Sequence, residues 1–149
     1  LDLPILATAL TDRGIDTEAT PLIGLTRWNA TPQAMALPGL QNGYFALPDQ
    51  SKIASFESRY AAIYGEAPHP LAGLAYDGIA AVGALVAAGN RDALTAAALT
   101  QRSGFQGTSG IFRLLPNGTN ERGLAVAQIQ NSQVVIVDPA PRNFGGAGL

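Results

Sequence analysis

Cysteine is absent from the 149-residue sequence, and histidine occurs once, as His69. Without cysteine the chain can form no disulfide, no thiolate metal site and no cysteine nucleophile. A single histidine excludes a multi-histidine metal site made from this sequence alone. We therefore predict that the protein uses no metal ion and no redox cofactor.

Charge and long apolar runs are also scarce. Charged residues make up 13% of the sequence, and the formal net charge is −2. No basic run is present, so we expect no nucleic-acid partner. The longest apolar stretch, residues 71–88, is interrupted by Tyr76-Asp77 and by glycines, which favours a buried helix over a membrane span. With 47% hydrophobic residues, the chain is long enough for one domain with a core.

What the sequence does contain is a pair of predicted helices between Asp49 and Gly89. Asp49 is suited to cap the first helix, and Gly65 is suited to end it in the left-handed conformation. An apolar stripe at helical spacing runs along this helix. The second helix, residues 71–88, is so apolar that we expect it to be covered on most sides.

The flanking segments predict an α/β chain that ends in antiparallel strands. A helix over residues 1–14 is followed by strands at 21–28 and 43–47, the first read as a buried parallel strand. A short helix is predicted at about 92–101, and a C-terminal antiparallel meander at 110–115, 122–130 and 133–138. We expect a largely buried set formed by Tyr60, Ile63, Ile79, Val82, Leu85, Ile111, Val126 and Val135.

One ordered pattern in the helical pair resembles a known family. F-x-x-x-Y-x-x-x-Y-G-x-x-P, followed by A-Y-D-G-I, is similar to the type I periplasmic binding proteins of the leucine/isoleucine/valine-binding kind. The matching positions are Phe56, Tyr60, Tyr64, Gly65, Pro68, Ala75, Tyr76, Asp77 and Gly78. The resemblance implies part of a bilobed, three-layer α/β/α fold with a C-terminal antiparallel meander.

The resemblance also implies a division of the chain. Residues 1–42 would belong to the second lobe, residues 43–106 to the first lobe after a hinge crossing, and residues 107–149 to the C-terminal meander and tail. Leu1 is not an initiator methionine and starts in mid-pattern. We therefore expect the sequence to be the C-terminal part of a longer protein, with any export signal or lipid anchor upstream.

As to function, the resemblance implies a periplasmic solute-binding receptor of an ABC transporter, without enzymatic activity. Such a receptor would bind a small polar ligand, such as an amino acid, by hinge closure. It would deliver that ligand to an inner-membrane permease.

Two groups of residues are candidate ligand contacts. Thr26, Arg27 and Trp28 end the predicted strand 21–28, and ligands bind in loops that follow parallel strands. Branched-chain amino-acid receptors tend to place an acidic residue near here, whereas residues 21–47 contain none. Arg27 would instead suit a carboxylate. The alternative is an exposed arginine beside a half-buried tryptophan.

Tyr76 and Asp77 form the second group, because the resemblance places their helix near the ligand cleft. The ring of Tyr76 could close over a ligand, and the carboxylate of Asp77 could meet an ammonium group. The alternative is a satisfied core tyrosine and an aspartate that bonds to nearby backbone.

A second function keeps the same fold. The ending G-T-S-G-I-F-R-L, followed by N-G-T-N-E-R-G-L-A-V-A-Q-I, is similar to outer-membrane lipoproteins that activate penicillin-binding proteins, notably at Arg122. In that case the chain would be a protein-interaction module in cell-wall synthesis, and its partner would be a penicillin-binding protein.

Overall fold

The structure of the protein is a computed structural model that describes residues 3–17, 19–25, 27–89 and 94–145. The helices are α1 (Leu3–Asp12), α2 (Pro32–Met35), α3 (Gln50–Tyr64), α4 (Ala72–Ala87) and α5 (Ala96–Leu99), with a 3-10 turn at Pro38–Leu40. The strands are β1 (Ile23–Gly24), β2 (Tyr44–Leu47), β3 (Phe105–Gly107), β4 (Gly110–Leu114), β5 (Asn120–Arg122), β6 (Ala125–Gln130) and β7 (Gln133–Asp138). The predicted α/β order is confirmed.

The chain forms two compact units. Unit 1 contains the residues up to Leu47 together with Ala125–Pro139. Unit 2 contains Pro48–Leu124 and the residues from Ala140 onwards. The polypeptide therefore passes from one unit to the other three times.

Unit 1 is built on a four-stranded sheet in the order β1-β2-β6-β7. Strand β1 is parallel to β2, whereas β6 is antiparallel to both β2 and β7. Side chains of Leu40, Phe45 and Ile129 are fully buried at the centre of this unit. The parallel start and antiparallel end agree with the strand types predicted from the sequence.

Strand β1 is much shorter than the predicted strand over residues 21–28. Among the described residues of this segment, only Ile23 and Gly24 are in register with β2, and residues 27–30 form a turn that contains Trp28. Ile23 is 85% exposed, so the prediction of a strand covered on both faces is wrong. The physical reason is that no side chains of the described residues pack over Ile23 on this face of β1.

Unit 2 contains the long helices α3 and α4 and a three-stranded sheet in the order β3-β4-β5. Both predicted ends of α3 are confirmed. The carboxylate of Asp49 accepts hydrogen bonds from the N–H groups of Ser51 and Lys52 at 3.0 and 3.2 Å. Gly65 ends the helix with a φ of 77°, a conformation that glycine adopts without steric cost.

The core of unit 2 lies under one stripe of α4. The buried residues of that helix, Asp77, Ala81 and Leu85, are spaced four apart and so share one face. Ala81 and Leu85 pack with Phe105 of β3 and Phe112 of β4. The prediction that α4 is covered on most sides is wrong, because the described residues of unit 2 cover only this stripe.

The predicted core is therefore right in part. Leu85 and Ile111 are buried, and Tyr60 and Val82 are half-buried. Ile63 and Ile79 lie on uncovered helix faces, where they are 73% and 76% exposed. Val126 and Val135 are also exposed, because they lie on a face of the sheet that the described residues of unit 1 leave uncovered.

The C-terminal strands divide between the two sheets. The predicted strand 122–130 is interrupted after Arg122, so that β5 joins the sheet of unit 2 and β6 joins the sheet of unit 1. The turn at Asn131-Ser132 is confirmed, and both residues have the positive φ that tight hairpins require.

Helix α5 is shorter than the predicted helix over residues 92–101, whose first residues lie outside the described ranges. None of the helices in the described part of the chain combines the length and apolar character needed to span a lipid bilayer.

Candidate ligand-binding site

The predicted strand-end group lies in unit 1, and Thr26 is outside the described residues. Arg27 is exposed and has a left-handed φ of 79°, which is uncommon for a residue with a side chain. Trp28 is only 7% exposed, and its ring stacks on Phe45 at 6.0 Å between centroids. Trp28 therefore packs into the core of unit 1, while Arg27 presents its charge to solvent.

Asp77 is buried in unit 2, with 2% of its surface exposed. Its Oδ1 atom accepts a hydrogen bond from the backbone N–H of Thr108 at 2.7 Å. Its Oδ2 atom lies 3.9 Å from a guanidinium nitrogen of Arg122 and has no hydrogen-bond partner within the described residues. Gly107 permits this approach, since a β-carbon there would lie 2.6 Å from Oδ2. The carboxylate thus bonds to nearby backbone. Sequence analysis gave this arrangement as the alternative to a ligand contact.

Tyr76 precedes Asp77 but points to a different environment, and it is 51% exposed. Its ring lies 5.4 Å from the ring of Phe56 in α3. The contacts continue along α3, with 6.1 Å from Phe56 to Tyr60 and 4.5 Å from Tyr60 to Tyr64. We call these four residues the aromatic row.

Two neighbouring cavities in unit 2 meet at Tyr76 and Arg59. The aromatic cavity, of about 240 Å³, is lined by the aromatic row with Arg59, Ile63 and Ala72. The polar cleft, of about 550 Å³, is also lined by Tyr76, and its polar side chains include Ser51, Lys52, Ser55, Arg59, Asp77 and Gln106. The polar cleft is of the size that small ligands occupy in proteins, whereas the aromatic cavity by itself is slightly smaller than that range.

The polar cleft carries positive charge on the α3 side. Among the described residues, neither Lys52 nor Arg59 has a carboxylate within ion-pair distance. The Nε–H group of Arg59 donates to the backbone oxygen of Ser55 at 3.2 Å. The carboxyl group of Asp49 lies near Lys52. Its pKa is held below the ordinary value of 3.8, mainly because it accepts a hydrogen bond from the hydroxyl of Ser51. The accessible positive charge on this side of the cleft is chemically complementary to an anionic group.

Sequence reasoning missed the α3 side of this cleft. Lys52, Ser55 and Arg59 are three and four residues apart, so they share one helix face. That spacing was readable from the sequence. The contribution of Gln106 was not, because it depends on how β3 packs near α4. Among the described residues, no group of three or more His, Cys, Asp or Glu side chains could hold a metal ion.

Comparison with known proteins identifies the family. Residues 2–133 match the periplasmic binding protein family, so the chain belongs to it. This confirms the resemblance seen in the sequence to the leucine/isoleucine/valine-binding kind. The family comprises solute-binding proteins rather than enzymes, and membership implies a periplasmic or extracellular location. Among curated individual proteins, no match was found.

Solved structures agree with the type I periplasmic-binding-protein fold. A branched-chain amino acid ABC transporter protein from Rhodospirillum rubrum is 21% identical, with a TM-score of 0.64. An ABC transporter substrate-binding protein from Desulfitobacterium hafniense, in complex with Leu, is 16% identical with a TM-score of 0.54. A leucine binding protein from Thermotoga maritima is 18% identical with a TM-score of 0.50.

These matches cover most of this chain but less than half of each solved structure. The comparisons cover 88%, 89% and 90% of this chain, respectively. They cover 40%, 39% and 40% of the solved chains. The chain therefore spans about 40% of the length of the solved structures that it matches.

Proposed function

We propose that the protein is a receptor component of an ABC transporter that binds a small polar ligand and delivers it to an inner-membrane permease. The observation that carries this proposal is the family match over residues 2–133. The solved neighbours support it, because they comprise a branched-chain amino acid ABC transporter protein, a leucine binding protein and an ABC transporter substrate-binding protein in complex with Leu. The polar cleft of unit 2 adds a cavity of suitable size and chemistry.

For the binding mode, we propose closure of two lobes over the ligand. We keep the prediction that residues 1–42 belong to the second lobe and residues 43–106 to the first lobe. Within them, Thr26, Arg27 and Trp28 and the pair Tyr76 and Asp77 remain the predicted contacts. Tyr76 has the strongest support, because half of its surface is exposed and it borders both cavities.

Export to the periplasm, with a lipid anchor as one form of attachment, belongs to the same proposal. The second candidate, activation of a penicillin-binding protein, depends on the similarity around Arg122. In the structure the guanidinium of Arg122 donates to the hydroxyl of Ser109 at 3.2 Å and faces Asp77. These contacts give Arg122 a role inside unit 2, so we keep the transport receptor as the conclusion.

The experiment that tests the receptor function is a ligand search with the protein expressed from its complete reading frame. Small molecules released by denaturing the purified protein are identified by mass spectrometry, and amino acids and simple carboxylates are screened by thermal shift. A receptor should be stabilised by one chemical class of ligand, and scattering in solution should show a more compact particle with that ligand. Stabilisation by no small molecule, together with specific capture of a penicillin-binding protein, would favour the second candidate.

A further inference from the structure

The aromatic cavity and the polar cleft share Tyr76 and Arg59, so they offer adjoining apolar and cationic surfaces. We propose that together they bind one ligand of the aromatic carboxylate class. Its ring would lie in the aromatic cavity, and its carboxylate would bind at Arg59 and Lys52. This inference rests on the proposed receptor function and narrows the chemistry of its ligand.

The aromatic row forms the apolar half of the proposed site. Within the described part of the chain, Tyr64 and Ile63 at the outer end of this cavity are largely exposed, so no described residue covers this part of its lining. The ring centroids within the row are 4.5 to 6.1 Å apart, which is the spacing of favourable aromatic pairs. A further ring can extend this row at the same spacing.

The cationic half comes from Arg59 and Lys52. Only the Nε–H group of Arg59 has a hydrogen bond among the described residues, so the two terminal nitrogens of the guanidinium can bind a carboxylate. A guanidinium matches a carboxylate in shape and forms charge-assisted hydrogen bonds with it. Lys52 lies two turns earlier on α3 and adds a second positive charge to the same cleft.

The single acidic residue of this cleft does not favour an ammonium group. Asp77 is the acidic residue among the described residues that line it, and its carboxylate is almost inaccessible. Oδ1 is occupied by the N–H of Thr108, and Oδ2 faces Arg122. Of the charged side chains that line the cleft, Arg59 and Lys52 remain accessible, which suits a simple carboxylate better than a zwitterionic amino acid; Asp49 lies near Lys52 but outside the lining.

The test uses three related compounds and the protein expressed from its complete reading frame. 3-Phenylpropanoate carries both a ring and a carboxylate, 3-phenylpropan-1-ol lacks the charge, and propanoate lacks the ring. Binding is measured by calorimetric titration. We expect 3-phenylpropanoate to bind at least tenfold more tightly than either partial compound, because each of those loses one half of the site.

Variants locate the binding. Arg59→Gln should weaken binding of 3-phenylpropanoate by about tenfold or more, through loss of charge-assisted hydrogen bonds. Tyr64→Ala should weaken it severalfold, and because the Tyr64 side chain is exposed, the substitution should leave folding intact. Arg102→Gln is the matched control, since Arg102 is an exposed arginine of unit 2 outside both cavities, and it should leave binding unchanged.

The outcomes separate this inference from the receptor function. If an amino acid binds and 3-phenylpropanoate does not, the receptor function stands and the inference is overturned. The inference is equally overturned if 3-phenylpropanoate binds but Arg59→Gln and Tyr64→Ala retain the affinity of the parent protein. If no compound of any class binds, both proposals fail together.

Discussion

Asp77 in α4 accepts a hydrogen bond from the backbone N–H of Thr108 at 2.7 Å, and this bond links residues 31 positions apart in the chain. It fastens the turn between β3 and β4 to the buried face of the helix. Both residues are buried, so each loses its contact with water on folding and needs the other as a partner.

Removing this bond should destabilise unit 2. Asp77→Ala leaves the N–H of Thr108 buried without a partner, and we expect a loss of about 2–3 kcal/mol in the free energy of unfolding. Asp77→Asn keeps an acceptor and should cost less. The measurement is urea denaturation followed by circular dichroism. Glu66→Ala, at an exposed position, is the control and should change stability by less than about 0.5 kcal/mol. If Asp77→Ala left the free energy of unfolding unchanged, the carboxylate would not be needed for the stability of unit 2.

The cap of α3 should make stability depend on pH. Mainly because of the Ser51 hydroxyl, the pKa of Asp49 is lower in the folded protein than its ordinary value of 3.8. The stabilisation that the charged Asp49 gives to the folded protein is therefore present above pH 3.8 and is lost as pH falls through the lowered pKa. Asp49→Asn retains a capping side chain without the titration.

Thermal unfolding of the parent and of Asp49→Asn, measured between pH 7 and pH 2, checks this expectation. Between pH 7 and pH 2, the melting temperature of the parent should fall further than that of Asp49→Asn. Parallel curves for the two proteins would mean that Asp49 does not contribute to the acid sensitivity.

Two glycine substitutions should have opposite effects on the free energy of unfolding. In Gly24→Ala the new β-carbon would lie 2.1 Å from the indole ring. The ring must move, and we expect a loss of about 1–3 kcal/mol. Gly83→Ala, within α4, meets no atom within 4 Å and should gain about 0.5–1 kcal/mol from its helix propensity.

Fluorescence of Trp28, the only tryptophan in the sequence, reports the local effect directly. Gly24→Ala should shift the emission maximum of the folded protein, and Gly83→Ala should not. Unchanged emission in Gly24→Ala would contradict the packing of the indole against that glycine.

Helix α4 offers a matched pair of positions for locating the core of unit 2. Leu85 is buried against Phe105 and Phe112, whereas Ile79 is 76% exposed. Leu85→Ala should cost about 2–4 kcal/mol, and Ile79→Ala less than about 0.5 kcal/mol. Equal costs, measured by urea denaturation, would place the core on a different face of the helix.

Local signals in the sequence predicted much of the fold. The caps at Asp49 and Gly65 and the turn at Asn131-Ser132 each depend on a few adjacent residues, and the structure confirms them. The face of α4 that is buried could not be predicted, because Ile79 and Leu85 are equally apolar. Only the packing of β3 and β4 distinguishes them.

The same limit applies to the candidate site. The sequence predicted Tyr76 and Asp77 as candidate ligand contacts, but it did not show that Tyr76 would be half exposed and Asp77 inaccessible. Burial of Asp77 depends on Thr108, which is distant in the chain. Lys52 and Arg59 follow a helical spacing, yet their relevance appears only once α3 and α4 border a common cleft.

Calorimetric titration of the protein expressed from its complete reading frame tests the receptor function most directly. With the ligand class found by the thermal-shift screen, we expect saturable binding of one ligand per molecule. Tyr76→Ala should weaken that binding by about 1–3 kcal/mol, the scale of one lost buried side-chain contact. Ile79→Ala, one turn further along the same exposed helix surface, should leave the affinity unchanged. No saturable binding by any small molecule would contradict the receptor function, and equal affinities for the parent and Tyr76→Ala would contradict the role of Tyr76 as a ligand contact.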